Sequence, residues 1–169
     1  MQSNTKAGPS ADLITWLSDH GVPYELHDHP LTYTASATAH AEGVSEREFA
    51  KVVGIRLADG ERVLAVLDAS DRVDLVRLST AIGAEWATLL TEAEMAAIAP
   101  DCEPGTIPPI PEIARVPVIA DEAVRADKRI SFHGGSHRAS VRVDRAIWER
   151  EAGIRYEAFA MPIGHARSG

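Results

Sequence analysis

The dipeptide Asp59-Gly60 separates two runs of branched aliphatic residues, 52–57 and 62–68. A two-residue Asp-Gly link between apolar runs is the strongest short signal for a β-hairpin, because both turn positions favour positive φ. The hairpin fixes an antiparallel pair at the centre of the chain. Two strands alone are marginal in water, so the flanking segments must supply further strands or covering helices.

Those segments carry their own punctuation. Leu13, Trp16 and Leu17 recur at helical spacing, which predicts a helix over 12–20 stopped by Gly21. Residues 22–27 alternate like a short strand. An alanine-rich helix is expected over 34–41, closed by Gly43, with Ser45 capping a further turn. After the hairpin, a helix is expected over 73–82, ended by Gly83, and a short strand over 86–90. Thr91-Glu92-Ala93-Glu94 is a capping box opening a helix that runs to Ile98 and stops at Pro100. Four prolines between Asp101 and Pro111 exclude regular structure there. Strands are expected over 116–120, 129–132 and 140–143, with 133–137 turning between the last two, and a helix over 147–152 finishes the fold. Trp16, Trp86 and Trp148 read as core residues. The fold class is α/β (α+β): a single domain, 11–160, built on one curved mixed β-sheet flanked by helices, with flexible tails at 1–10 and 161–169.

Lys51 stands in the apolar run Phe49-Ala50-Lys51-Val52-Val53, and the chain has only three lysines. Burying an ammonium without partners is costly. Such a lysine either snorkels to the rim of an edge strand or is held in a cleft for a task.

Composition limits the function classes. With 45% hydrophobic and 25% charged residues, the 169-residue chain is an ordinary globular sequence. The single cysteine, Cys102, permits no internal disulfide and leads to an expected cytoplasmic location. No apolar run approaches the ~18 residues of a membrane span, and no apolar signal segment follows Met1. A net charge of −8 argues against coating nucleic acid. It leaves room for a local basic patch, with Arg47, Lys51, Arg56, Arg129, His137 and Arg138 as candidates. Sparse aromatic residues, at 5%, argue against stacking platforms for single strands.

Gly105 lets the proline loop approach a ligand or adopt positive φ, and a stiff loop presents fixed backbone groups to a carbonyl or a water. It reads equally as a braced connector. Gly134-Gly135-Ser136-His137 reads as a hairpin turn or as a cradle for phosphate or ribose. His27-Asp28-His29, with His40, lacks any known metal-ligand spacing and reads better as the polar rim of a pocket. No catalytic thiol or serine elbow is recognisable.

In this order, Phe49-Ala50-Lys51-Val52-Val53, the Asp59-Gly60 hairpin, the Gly105-Thr106-Ile107-Pro108-Pro109 loop and the Gly134–His137 segment resemble the YbaK/ProRS-associated domain family over about residues 12–150. These are aminoacyl-tRNA editing domains found within prolyl-tRNA synthetases and as free-standing deacylases. The resemblance implies hydrolysis of the ester that joins a wrong amino acid to tRNA, with alanyl- or cysteinyl-tRNA(Pro) as leading substrates. It implies no metal or other cofactor, and water activated with help from a tRNA ribose hydroxyl. Lys51 and Gly105 are the implied catalytic residues. His29, Tyr33, Thr34, Ile107, Pro108, Pro109, Gly134, Gly135, Ser136 and His137 are the implied substrate-binding residues. The implied partner is a tRNA acceptor end, with a synthetase or elongation factor joining transiently and a monomeric protein. Two departures bear on specificity: His29 stands where some members have tyrosine, and Ser140 where some have an acidic residue. A non-catalytic acceptor-end binder and a small-molecule acyl esterase are the alternatives.

Overall fold

The computed structural model describes residues 8–29, 31–103 and 105–163; most of each expected tail, 1–7 and 164–169, lies outside them. The hairpin forms where the sequence requires it. Strand β2 (Ala50–Leu57) runs antiparallel to β3 (Arg62–Asp68), placing Lys51 opposite Leu67. Gly60 takes φ 91°, and Asp59 accepts a hydrogen bond from the Glu61 amide at 2.9 Å. Strand β5 (Ala87–Leu89) extends β2 on its outer side. Strands β6 (Val118–Asp121) and β9 (Arg155–Glu157) add parallel to β3, giving a five-stranded mixed sheet in the order β5-β2-β3-β6-β9. Val63 to Asp68 are all buried, as expected for a strand covered on both faces.

Strands β1 (Tyr24–Asp28), β8 (Ala139–Asp144) and β7 (Arg129–Ser136) form a separate antiparallel sheet, and β4 (Asp71–Val73) pairs with β10 (Ala160–Pro162). The one curved sheet expected from the sequence is therefore three ladders. The first two meet at a single bridge between Phe49 and Ser131, and strand twist rotates such neighbours out of longer pairing.

The helices follow their caps. Helix α1 (Ala11–Asp19) is capped by Ser10 and buries Leu13, Trp16 and Leu17. Helix α2 (Ala35–Glu42) is capped by Thr34, whose Oγ1 accepts the Ala37 amide at 3.0 Å, and ends at Gly43 with φ 70°. Helix α3 (Leu75–Ile82) starts later than expected, because Asp74 caps it and the preceding residues form β4. The Thr91–Glu94 capping box opens α4 (Glu92–Ile98). A short α5 (Pro111–Ala114), which the proline density concealed, precedes β6, and α6 (Arg145–Ala152) follows β8.

Helix α6 does not finish the fold. Beyond it lie β9 and β10, and Asp121 Oδ1 accepts the amides of Phe159 and Ala160, each at 2.8 Å. Trp86 is also corrected: it is 48% exposed beside the edge strand β5, whereas Trp16 and Trp148 are core residues. The principal core gathers α1, α4, α6 and the inner faces of both sheets, and a second cluster with Leu78 and Phe159 packs the opposite face of the larger sheet.

Candidate functional site

Where β2 opens, the N-terminus of α2 and the Gly105 loop enclose a cavity of about 410 Å³, within the ~300–1,000 Å³ typical of small-molecule sites. Lys51 and Val52 of β2 line one wall, and Tyr33, Thr34 and Ser36 another. Gly105, Ala69, His133 and Ile163 complete it.

Lys51 is half-buried, and its side chain makes no ion pair or hydrogen bond among the described residues. Burial pulls its pKa below the usual lysine value, while the charges of Asp71 and Glu46 work against the shift. The result is a cation held at a cavity wall without a carboxylate in contact.

His133 faces Lys51's cavity from β7. Alternation explains its direction: Phe132 enters the core, so Ser131 and His133 point the other way. Its Nε2 lies 2.9 Å from Thr38 Oγ1, and Phe49 packs edge-on with ring centroids 5.3 Å apart. Burial first, and then the neighbouring His137 and His29, lower its pKa to about 3. It is therefore a neutral imidazole at physiological pH. The sequence reading ended β7 at Phe132 and took His133 as the start of a turn, so this residue was missed. Continuing the alternation by one residue reveals it.

Gly105 takes φ 84°, as a left-handed loop position requires. Its loop is tied to β7: Gly135 donates to the Thr106 carbonyl at 2.9 Å, Glu103 donates to the Gly135 carbonyl at 3.0 Å, and the His137 amide donates to Glu103 Oε1 at 2.7 Å. The turn expected at 133–137 is corrected accordingly. Gly134, Gly135 and Ser136 belong to β7, with a bulge between His133 and Ser136, and the chain reverses at His137-Arg138. A Cβ on Gly135 would lie 2.8 Å from Ser10 Cβ, and one on Gly134 3.3 Å from Leu13 Cδ2. These glycines admit the start of α1.

Of the other sequence candidates, Tyr33 stands at the cavity mouth, 70% exposed, with its ring centroid 5.0 Å from that of His137. Thr34 lines the cavity and caps α2. Ile107, Pro108 and Pro109 do not line it; they are buried, and the Pro109 carbonyl accepts Trp148 Nε1 at 3.0 Å. His29 is buried behind the cavity, with Nε2 3.5 Å from Glu42 Oε2. The candidate basic patch is largely paired: Arg47 with Asp68 at 3.4 Å, Arg129 with Glu25 at 2.6 Å, and Arg56 with Glu94. No group of three or more His, Cys, Asp or Glu among the described residues is arranged to hold a metal ion. No described helix is long and apolar enough to cross a membrane.

A lone cation, a neutral imidazole and a braced glycine loop around one cavity define a mixed α/β domain with a site for a polar, anionic or carbonyl-bearing ligand. The aminoacyl-tRNA editing domain model matches residues 29–150, and the chain belongs to that family. No curated protein matches the sequence. Among solved structures, the hypothetical protein APE2540 superposes with a TM-score of 0.78 at 19% identity, covering 88% of this chain and 99% of its own. A structure described as "a putative trans-editing enzyme for prolyl tRNA synthetase" gives 0.75 at 20% identity, covering 88% and 94%. At such identities the likeness is one of fold.

Proposed function

We propose that the protein is a trans-editing aminoacyl-tRNA deacylase. The unpaired Lys51 ammonium at the wall of the 410 Å³ cavity carries this reading, supported by membership in the editing-domain family. Lys51 holds the terminal phosphate or the ester carbonyl as a point charge. The Gly105 backbone orients the carbonyl or the attacking water, and neutral His133 offers a hydrogen bond without adding charge. Water adds to the ester carbonyl with help from the free ribose hydroxyl of the tRNA; the ester C–O bond breaks, and the amino acid and a tRNA hydroxyl leave. Tyr33, Thr34 and His137 bound the entrance. The leading substrates are alanyl- and cysteinyl-tRNA(Pro), a choice that rests on the family alone.

The test is release of amino acid from a panel of labelled aminoacyl-tRNAs by wild type and by Lys51→Ala. Release of one small residue, lost by at least about 100-fold in the folded variant, is expected. Tight tRNA binding without release leaves a binding module instead. Release that uncharged tRNA does not inhibit indicates an acyl esterase.

A further inference from the structure

The hydroxyl of Thr38, inside α2, has three polar neighbours. Its Oγ1 lies 2.8 Å from the Thr34 carbonyl one turn back along the helix, 2.6 Å from Thr32 Oγ1 and 2.9 Å from His133 Nε2. Thr38 is fully buried, so these three groups alone satisfy it. A hydroxyl has one proton to give and two lone pairs to fill. Of its neighbours only the Thr34 carbonyl cannot donate, so the proton goes there, as in other helical threonines that bond back to the preceding turn. Thr32 must then donate to Thr38, and His133 must donate through Nε2. Giving the proton to His133 instead would set the carbonyl and hydroxyl oxygens 2.8 Å apart with no hydrogen between them. The direction is therefore decided at Thr38 itself.

A neutral imidazole with its hydrogen on Nε2 has a bare Nδ1. Burial keeps His133 neutral, lowering its pKa to about 3. The His133 Nδ1 has no partner among the described residues, and it is not one of the unsatisfied atoms sealed from solvent, so it opens onto the cavity that the ring lines. Among the described residues no Asp or Glu lines that cavity. Tyr33 and Thr34 are exposed at its mouth, and Thr34 Oγ1 is already taken by the Ala37 amide. His133, 6% exposed, is the buried polar side chain of the lining. A ring that resists protonation accepts a hydrogen bond without taking the proton.

We infer that Thr38 is a positioning residue that fixes His133 as a hydrogen-bond acceptor, and that Nδ1 receives the α-amino group of the aminoacyl ester. The substrate half of this rests on the deacylase reading; the tautomer does not. Lys51 holds the phosphate or carbonyl end, and the amino group sits against the neutral ring. The site thereby selects esters with a free amino group over acyl esters that lack one.

The test combines long-range proton–nitrogen NMR of ¹⁵N-histidine-labelled protein at neutral pH with hydrolysis of alanyl and propionyl esters of the same tRNA, each rate divided by that of the uncatalysed ester. The proteins are wild type, the isosteric Thr38→Val, and Thr38→Ser, which keeps the hydroxyl. Wild type is expected to show the Nε2–H tautomer of His133 and to favour the alanyl ester by about ten-fold in kcat/KM. Thr38→Val should shift the tautomer towards Nδ1–H and lose that preference, and Thr38→Ser should retain both. An Nδ1–H wild type, or a tautomer unmoved in folded Thr38→Val, overturns the role of Thr38. Equal enhancement of the two esters by wild type overturns the assignment of Nδ1 to the amino group. If neither ester is hydrolysed while the tautomer still responds to Thr38, the deacylase reading falls and the positioning by Thr38 stands.

Discussion

Lys51 shows how one residue's setting selects its role. A snorkelling lysine reaches solvent or a carboxylate. Lys51 is half-buried at a cavity wall and contacts no carboxylate among the described residues, and Asp71 acts on it through space instead of by contact. Because the Asp71 charge favours the protonated form, Asp71→Asn should lower the Lys51 pKa further. The check is an NMR titration of reductively ¹³C-methylated lysines, with Lys128 as the exposed internal standard. An unchanged or raised Lys51 pKa would contradict the through-space coupling.

At the scale of elements, β7 and the Gly105 loop act as one unit. The loop's backbone bonds end on Gly135, and Gly135 also admits Ser10 at the start of α1. Gly135→Ala places a Cβ 2.8 Å from Ser10 Cβ at φ 96°. The combined overpacking and backbone strain should cost about 2 kcal/mol or more. Urea denaturation measures the loss directly. Deacylation should fall as well, since the same displacement moves the Gly105 loop.

Over the whole molecule, buried acids make stability depend on pH. Burial, with Asp127, Asp71 and Asp121 nearby, raises Asp68 to about 7, and Arg47 offsets this only in part. Asp127 is raised to about 6 by burial and by Glu48. A carboxyl group whose folded pKa exceeds its unfolded value binds protons more tightly when folded, so its stabilisation is present at low pH and lost as pH rises towards the folded pKa. Stability from these two groups should therefore fall between about pH 4 and 7. His133, lowered to about 3, acts in the opposite sense, losing stability as pH falls below its ordinary value. Asp68→Asn should flatten the decline and raise the midpoint of thermal unfolding at pH 7 relative to wild type. Melting curves across this range test it.

Local chemistry was enough to determine much of this protein. Asp59-Gly60 fixed the hairpin, Thr34 and Gly43 bounded α2, and Thr91 with Glu94 opened α4, because turns and caps are formed by residues adjacent in sequence. The mixed α/β class was legible in the order of those signals, and the editing-domain family in the resemblance carried by the Lys51 run, the Gly105 loop and the Gly134–His137 segment. The unusual placing of Lys51 was visible too, as a charge inside an apolar run. Only the tertiary structure divided the strands into three ladders, extended β7 through two glycines and carried the chain on to β9 and β10. It turned Ile107, Pro108 and Pro109 inward, left Trp86 exposed, and brought His133 to the cavity against Thr38. Each of these depends on contacts between segments far apart in sequence, and no local pattern encodes which distant side chain will fill a given space.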